Sequence, residues 1–363
     1  MIKNNNGPKL LILIAILIFS VSQLLHADSS GNGNSSLSAV SPQITSEAIK
    51  YYKSITLLLP EFKVANYNYT KAITRSRRIR SVEKKRQELL KIIKKNQAHV
   101  QTSPLFLNDS TLKTELVRYL DLLYVVLKKD FDKILDMEDI EAQTFDQDEA
   151  HQLALDLAFD KLDTCRMVLV QADSTFYKTY NIKIDTTMDK IDHKMSRASS
   201  AVKYYNPIYK IFYKSNKQYS YATQALAEKD LAAMQQHTAT LQKFVDEGIE
   251  NLKPFKGYKN DEDLIGIVRK VLSFYKKESV GRLPENIDFY LLVEAFQNST
   301  RKLEAIKPEK RTQKDVNEYN REVKAYNDAV KKINQINKAS YKNHDDLIKE
   351  WHKVVDNFFE IHS

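Results

Sequence analysis

Between Asn34 and Glu247 the chain contains no glycine at all. Glycine supplies the left-handed backbone that tight turns require, and sheet-rich folds place a turn roughly every 8–12 residues. A glycine-free stretch of this length argues against a β-sandwich or a dinucleotide-binding α/β fold. It fits long helices joined by polar loops. Proline is equally scarce, 8 in 363 residues, while charged residues reach 28%. The expected fold class is all-α.

Apolar side chains recur at alternating three- and four-residue steps in four places. One seam runs Leu112, Leu116, Tyr119, Leu123, Val126, and a second Leu155, Ala158, Leu162, Cys165, Leu169, Ala172, Phe176. A third runs Val316, Tyr319, Val323, Tyr326, Val330, Ile333, and the last Leu347, Trp351, Val354, Phe358, Ile361. Such spacing lines one face of a long helix and suits knobs-into-holes packing. Asp109-Ser110 and Asp261 are expected to cap helix starts, and Asp345-Asp346 to supply acid to the first turn of the last helix. Pro104 and Pro254 each follow a helix, whereas Pro60 and Pro207 interrupt apolar stretches and predict a kink or an offset start.

The chain also repeats itself. Ala48-Ile-Lys-Tyr-Tyr-Lys-Ser-Ile55 parallels Ala201-Val-Lys-Tyr-Tyr-Asn-Pro-Ile208 at an offset of 153 residues. Asn66 to Tyr69 then parallels Gln218 to Tyr221, Pro104 parallels Pro254, and Asn108-Asp109 parallels Asn260-Asp261. An aromatic pair, a proline and a cap recurring in order mark a duplication. The expected architecture is two tandem, internally duplicated, elongated helical bundles forming a rod. Module 1 spans 44–182 and module 2 spans 183–339, with a closing helix over 340–363. No glycine or proline falls between Asp109 and Asn206, so the junction near Asn181 reads as one long helix or two nearly end-to-end helices.

Residues 1–27 read as a signal peptide: Lys3 and Lys9 begin it, Leu10 to Phe19 form an apolar core, and Ala27 ends it. The apolar run is short for a stable membrane span, and an uncleaved N-terminal anchor is the alternative. Residues 28–43 are a polar Gly/Ser/Asn-rich linker. Loss of Lys3 and Lys9 would leave 54 basic against 47 acidic residues, a net charge of +7. That excess permits contact with anionic polymers without demanding it. Cys165 is the single cysteine, which rules out an intrachain disulfide.

The segment Val316 to Val330 carries a Tyr-Asn pair at Tyr319-Asn320 that returns one heptad later at Tyr326-Asn327. Together with the pairs Tyr51-Tyr52 and Tyr204-Tyr205, it resembles helical surface proteins and lipoproteins of unknown function from Gram-negative bacterial envelopes. The resemblance implies an envelope location and no particular mechanism. The lipid-accepting cysteine of the lipoproteins is absent here.

Catalytic signatures are missing from the sequence. No HExxH and no pair of ExxH motifs occurs, and Asp148/His151 and Asp189/His193 read as solvated helix faces. Cys165 lies on an apolar seam and reads as a small hydrophobe. We therefore expect no enzyme, no metal and no cofactor.

Two features point to binding. Arg75, Arg77, Arg78, Arg80, Lys84, Lys85 and Arg86 form a basic cluster, continued by Lys91, Lys94 and Lys95 and opposed only by Glu83 over its first twelve residues. It falls at the expected turn between the first two helices, where it could meet phosphate-rich lipid headgroups or an anionic polymer, or simply solvate the loop. Tyr51, Tyr52, Tyr204 and Tyr205 could line an aromatic groove for a glycan or peptide, or serve as core residues. The expected function is a non-enzymatic exported protein of the periplasm, cell surface or secreted space, binding or spacing another envelope protein or glycan. The alternative is a binder of anionic lipid or polymer through Arg75 to Lys95. Seam-bearing helices also leave a homodimer open.

Overall fold

The structure is a computed structural model that describes residues 27–28, 40–75, 79–130, 145–184 and 188–363. It is all-α. Helices α1 (Pro42–Ile55), α2 (Leu59–Arg75), α3 (Ile79–Thr102), α4 (Thr111–Val125) and α5 (Phe145–Thr179) come first. They are followed by α6 (Lys190–Glu228), α7 (Leu231–Leu252), α8 (Asp263–Lys277), α9 (Leu283–Ala305) and α10 (Gln313–His362). A short antiparallel pairing of Ala27–Asp28 with Lys183–Ile184 is the only strand among the described residues.

Helix boundaries follow local chemistry. Ser41 accepts the Ile44 amide at 3.3 Å ahead of Pro42 in the first turn of α1, and Asp230 accepts the Ala233 amide at 3.0 Å at the start of α7. The two interrupting prolines act differently. Pro60 sits in the first turn of α2 after α1 has stopped at Ile55, where its missing N–H costs nothing. Pro207 lies inside α6, which continues through it. The break after α5 comes at Asn181, in the left-handed region at φ 51°.

The chain divides into two compact units, 1–203 with 359–363, and 204–358. The divisions fall inside α6 and α10. The first unit packs α2 on α3, α3 on α4 and α4 on α5. Its core holds Tyr52, Ile55, Phe62 and Tyr69 from the first two helices, Leu89 and Ile93 from α3, and Leu120 from α4. The seam Leu112, Leu116, Tyr119, Leu123, Val126 is buried throughout, as are Cys165, Leu169, Ala172 and Phe176. The side chains of Leu155, Ala158 and Leu162 lie outside the described ones.

In the second unit α7 packs against α8 and α9. The ring of Trp351 on α10 stacks on Phe212 of α6 with centroids 4.0 Å apart. Gly248 permits the close helix contact here, since a methyl group in its place would stand 3.1 Å from Ile211 Cγ2 and 3.3 Å from Leu272 Cδ2.

Two expectations for the C-terminus are corrected. The closing helix is not confined to 340–363: α10 runs unbroken from Gln313 to His362, because no glycine or proline follows Pro308. Asp345 and Asp346 therefore lie in its middle. Its seam also turns one residue further on, to Trp351, Val355, Phe358 and Phe359, all at 0–1% exposure, while Ile361 is 57% exposed.

Several local features recur 152 residues apart. Asp109 accepts the Thr111 amide and Asp261 the Asp263 amide, each at 2.9 Å. Phe106 bridges to Asp109 and Tyr258 to Asp261. Each turn carries two left-handed residues, Leu107 and Asn108 (φ 49° and 63°) or Lys259 and Asn260 (φ 50° and 70°). Each following helix ends in a π-turn, Val126–Asp130 after α4 and Glu278–Arg282 after α8.

Leu107 is the misfit in this scheme. Left-handed backbone costs a residue with a Cβ about 1–2 kcal/mol, and its side chain is 62% exposed. Leu107→Asn should raise stability by roughly 0.5–1 kcal/mol, read as a higher denaturant midpoint at unchanged slope. A lower midpoint would mean that the leucine side chain holds the turn.

A two-helix arm completes the second unit. Phe296 of α9 stacks between Tyr326 and Tyr319 of α10 at 4.7 and 5.9 Å, and Phe289 lies 6.4 Å from Tyr326. From 287 to 305 and from 313 to 332 no side chain is fully buried. The seam Val316, Tyr319, Val323, Tyr326, Val330 is half-buried along its whole length, and only Ile333 reaches the core.

Candidate functional site

The basic segment runs from the end of α2 onto the outside of α3. Arg75 ends α2, Arg77 and Arg78 lie outside the described residues, and Arg80 and Lys84 are exposed. Lys85 is half-buried and pairs with Glu88 at 2.7 Å.

Arg86 is different, and its assignment to a ligand-binding cluster is corrected. It is 2% exposed, held by both oxygens of Glu83 and donating to the Leu127 carbonyl at 2.7 Å in the π-turn after α4. A π-turn disturbs the regular helical ladder, and the guanidinium satisfies one of its carbonyls. The sequence held the signal: Val82, Arg86, Leu89 and Ile93 step by 4, 3 and 4, which places the arginine on an apolar stripe.

Without Arg86, the basic face runs over Arg80, Lys84, Lys91 and Lys94 of α3 and reaches Lys128. The Lys94 ammonium lies 4.0 Å from the centroid of the Tyr124 ring and the Lys128 ammonium 5.7 Å, so one half-buried tyrosine gathers two cations. Glu88 reports the local field: the Lys85 hydrogen bond, with the charges of Lys85, Lys84 and Lys91, holds its carboxyl below the usual carboxylate range.

The paired tyrosines do not form an open groove. Tyr52 and Tyr205 are core residues, 2% and 0% exposed. Tyr51 is half-buried and covered by Phe106 at 5.3 Å and Phe176 at 5.8 Å. Tyr204 is likewise covered by Tyr258 at 5.0 Å and Phe358 at 5.9 Å, and its hydroxyl donates to the Lys256 carbonyl at 2.6 Å. Rings from the turn and from α5 in the first unit, and from the turn and α10 in the second, fill the space a ligand would need.

Sequence reading missed the buried polar groups. In the first unit Asp173 of α5 is 1% exposed. Burial raises its carboxyl to about 7, against a Tyr52 hydrogen bond that favours the charged form. Lys63 of α2, itself buried, pairs with Asp189 at 2.7 Å and with Asp192 at 2.5 Å at the start of α6. Burial opposes ionisation of Asp189, but the Lys63 hydrogen bond and the Asp192 and Ile191 amides hold it at about 2.

In the second unit Arg282, in its π-turn, binds Glu278, the Tyr219 hydroxyl at 3.1 Å and Asn337 Oδ1 at 3.1 Å. Asn286 and Asn337 exchange amide hydrogen bonds at 2.9 and 3.0 Å. Beside them His344 meets the Tyr275 hydroxyl at 3.2 Å, and burial keeps its imidazole neutral, down at about 4. Burial likewise pushes the Cys165 thiol up. Among the described residues, no group of three or more His, Cys, Asp or Glu is placed to hold a metal ion. No described helix is long and apolar enough to cross a membrane.

No family model, curated protein or solved structure matches the chain.

Proposed function

We propose that this is a non-enzymatic exported protein of the cell envelope, built from two tandem copies of one helical module. It holds or spaces another envelope component, protein or glycan, as a rod-like element. The observation that carries the reading is the recurrence, 152 residues on, of the same capped turn, the same pair of left-handed residues and the same π-turn. Duplicated helical units extend a structure by repetition, which is how spacers and extended binding surfaces are built. Residues 1–27 serve as the export signal in this reading.

Fractionation of cells that make the chain with its leader tests the address. Wild-type protein is expected in the envelope or the medium, and a Leu13→Arg/Ile16→Arg leader variant in the cytosol. Wild-type protein confined to the cytosol would end the envelope reading. The binding role predicts an envelope partner crosslinked in cells and retained through a high-salt wash.

The field around Glu88 favours a second reading, in which the α3 face binds anionic lipid headgroups. Each lysine near such a surface contributes about 1 kcal/mol. Lys84→Gln/Lys91→Gln/Lys94→Gln should therefore weaken sedimentation with anionic vesicles by on the order of 100-fold. Binding should fall steeply with added salt. Arg86→Gln should leave vesicle binding unchanged and lower stability instead. Equal binding to neutral vesicles, or binding that ignores the triple substitution, would exclude this face.

A further inference from the structure

The two-helix arm carries a second pair of stripes beside its aromatic seam. On α9 the stripe is Asp288, Leu292, Ala295, Ser299, Lys302, and on α10 it is Glu318, Glu322, Ala325, Ala329, Lys332. Both advance by steps of 4, 3, 4 and 3, so each forms one line along its helix. Ala295 and Ala325 are exposed, while Leu292, Ser299, Glu322 and Ala329 are half-buried. Each stripe begins with an acid, ends with a lysine fourteen residues later, and has an exposed alanine at its midpoint.

The midpoints stand at one height. Phe296, next to Ala295, stacks on Tyr326, next to Ala325, with centroids 4.7 Å apart and planes 13° from parallel. A two-fold axis crossing the arm at that height therefore reverses both stripes onto themselves. It sets Asp288 of one copy against the lysine stripe end of α9 in the other, and does the same for Glu318 on α10. Self-complementarity of this kind is what an isologous interface requires.

We propose that the arm pairs with the arm of a second copy of this chain, forming an antiparallel four-helix bundle about a two-fold axis at Ala295 and Ala325. The small central side chains let the helices approach, and the opposed charges at the stripe ends set the register. Covering this face would complete the burial of Leu292 and Ala329 and thicken the shell over the half-buried Phe296 and Tyr326. The stripe on α9 is about 22 Å long. Across two helix diameters, about 20 Å, the face measures roughly 440 Å² per partner, about half the ~800 Å² of a standard interface, so the dimer is expected to be a weak one. Lys332 is 65% exposed and already lies 2.9 Å from Glu285, so Asp288 and Lys302 are the cleaner pair to test.

Sedimentation equilibrium on the chain purified after expression with its own leader is the first measurement. A dimer is expected, and Ala295→Arg/Ala325→Arg should be a monomer with unchanged helix content. Asp288→Lys should weaken the dimer at least tenfold, and adding Lys302→Asp should restore it. A wild-type monomer at tens of micromolar, a dimer that survives both arginines, or failure of the double reversal would each overturn the proposal.

Site-specific oxidation guards against misfolded variants. In a Cys165→Ala background, Ala295→Cys should form a disulfide between two copies, whereas Asn320→Cys on the outer flank should not. No disulfide at Ala295, or equal yields at the two positions, would also overturn it.

Discussion

Asp173→Asn should stabilise the first unit by on the order of 3 kcal/mol at pH 8 and by almost nothing at pH 4. The carboxyl is buried on α5, where loss of water raises it from an ordinary value near 3.8 to about 7. A folded-state value above the unfolded one means that the associated stability is fully present below about pH 4. It is lost as the pH climbs to about 7, because the unfolded chain ionises freely while the folded one resists. Asparagine has no proton to lose, so its advantage grows through that window and then levels off.

Valine should do nearly as well. In the second unit Phe358 meets Tyr204 as Phe176 meets Tyr51, and the residue three before Phe358 is the buried Val355. Urea unfolding at pH 4, 6 and 8 reads the effect directly. A gain that is the same at all three values would show that the carboxyl stays solvated. A loss at pH 8 would show that its ionised form is held by more than Tyr52.

Arg282→Met is expected to cost the second unit about 3–5 kcal/mol. The Arg282 and Glu278 side chains are 5% and 8% exposed, so removing the guanidinium leaves a carboxylate in the interior without its counter-charge. It also takes a donor from the Tyr219 hydroxyl and from Asn337. Replacing both ions, as Arg282→Met/Glu278→Leu, should recover most of the loss, since a buried pair exchanged for apolar side chains of similar volume is often neutral. Unfolding midpoints of the two single variants and the double variant form the cycle that decides it. If the double variant is as unstable as Arg282→Met alone, the network matters through its shape and not through its charges.

These groups were the hardest to read from sequence. The helices were legible because a glycine-free, seam-bearing chain has few other options, and the caps at Asp109 and Asp261 were legible because their role is local. Periodicity could not choose between adjacent apolar residues. Val354 and Val355 both continue a seam from Trp351, and only the packing of α10 selects Val355. Nor could a count of charges show that Arg86 faces a π-turn, because that turn lies about forty residues away in the chain. Asp173 follows Ala172 on α5 and resembles any solvated helical acid until the helix is set against Tyr52. The aromatic pairs failed as a groove for a related reason: their partners Phe106, Phe176, Tyr258 and Phe358 are remote in sequence and fill the space.

The π-turn at Glu278–Arg282 runs directly from α8 into α9. An α-helix turns once every 3.6 residues, and a turn closed by i→i+5 bonds holds more. These five residues join α8 to α9 without a break in the helix. Before the π-turn, Val268, Leu272 and Tyr275 of α8 are at 0% exposure, and the Tyr275 hydroxyl meets His344 of α10. After it, Phe289 and Phe296 meet Tyr326, further along the same partner helix α10. The arm is thus joined to the core of its unit by one uninterrupted helix, and a one-residue change in this turn would rotate the side chains of α9 beyond it by about 100° as a single piece.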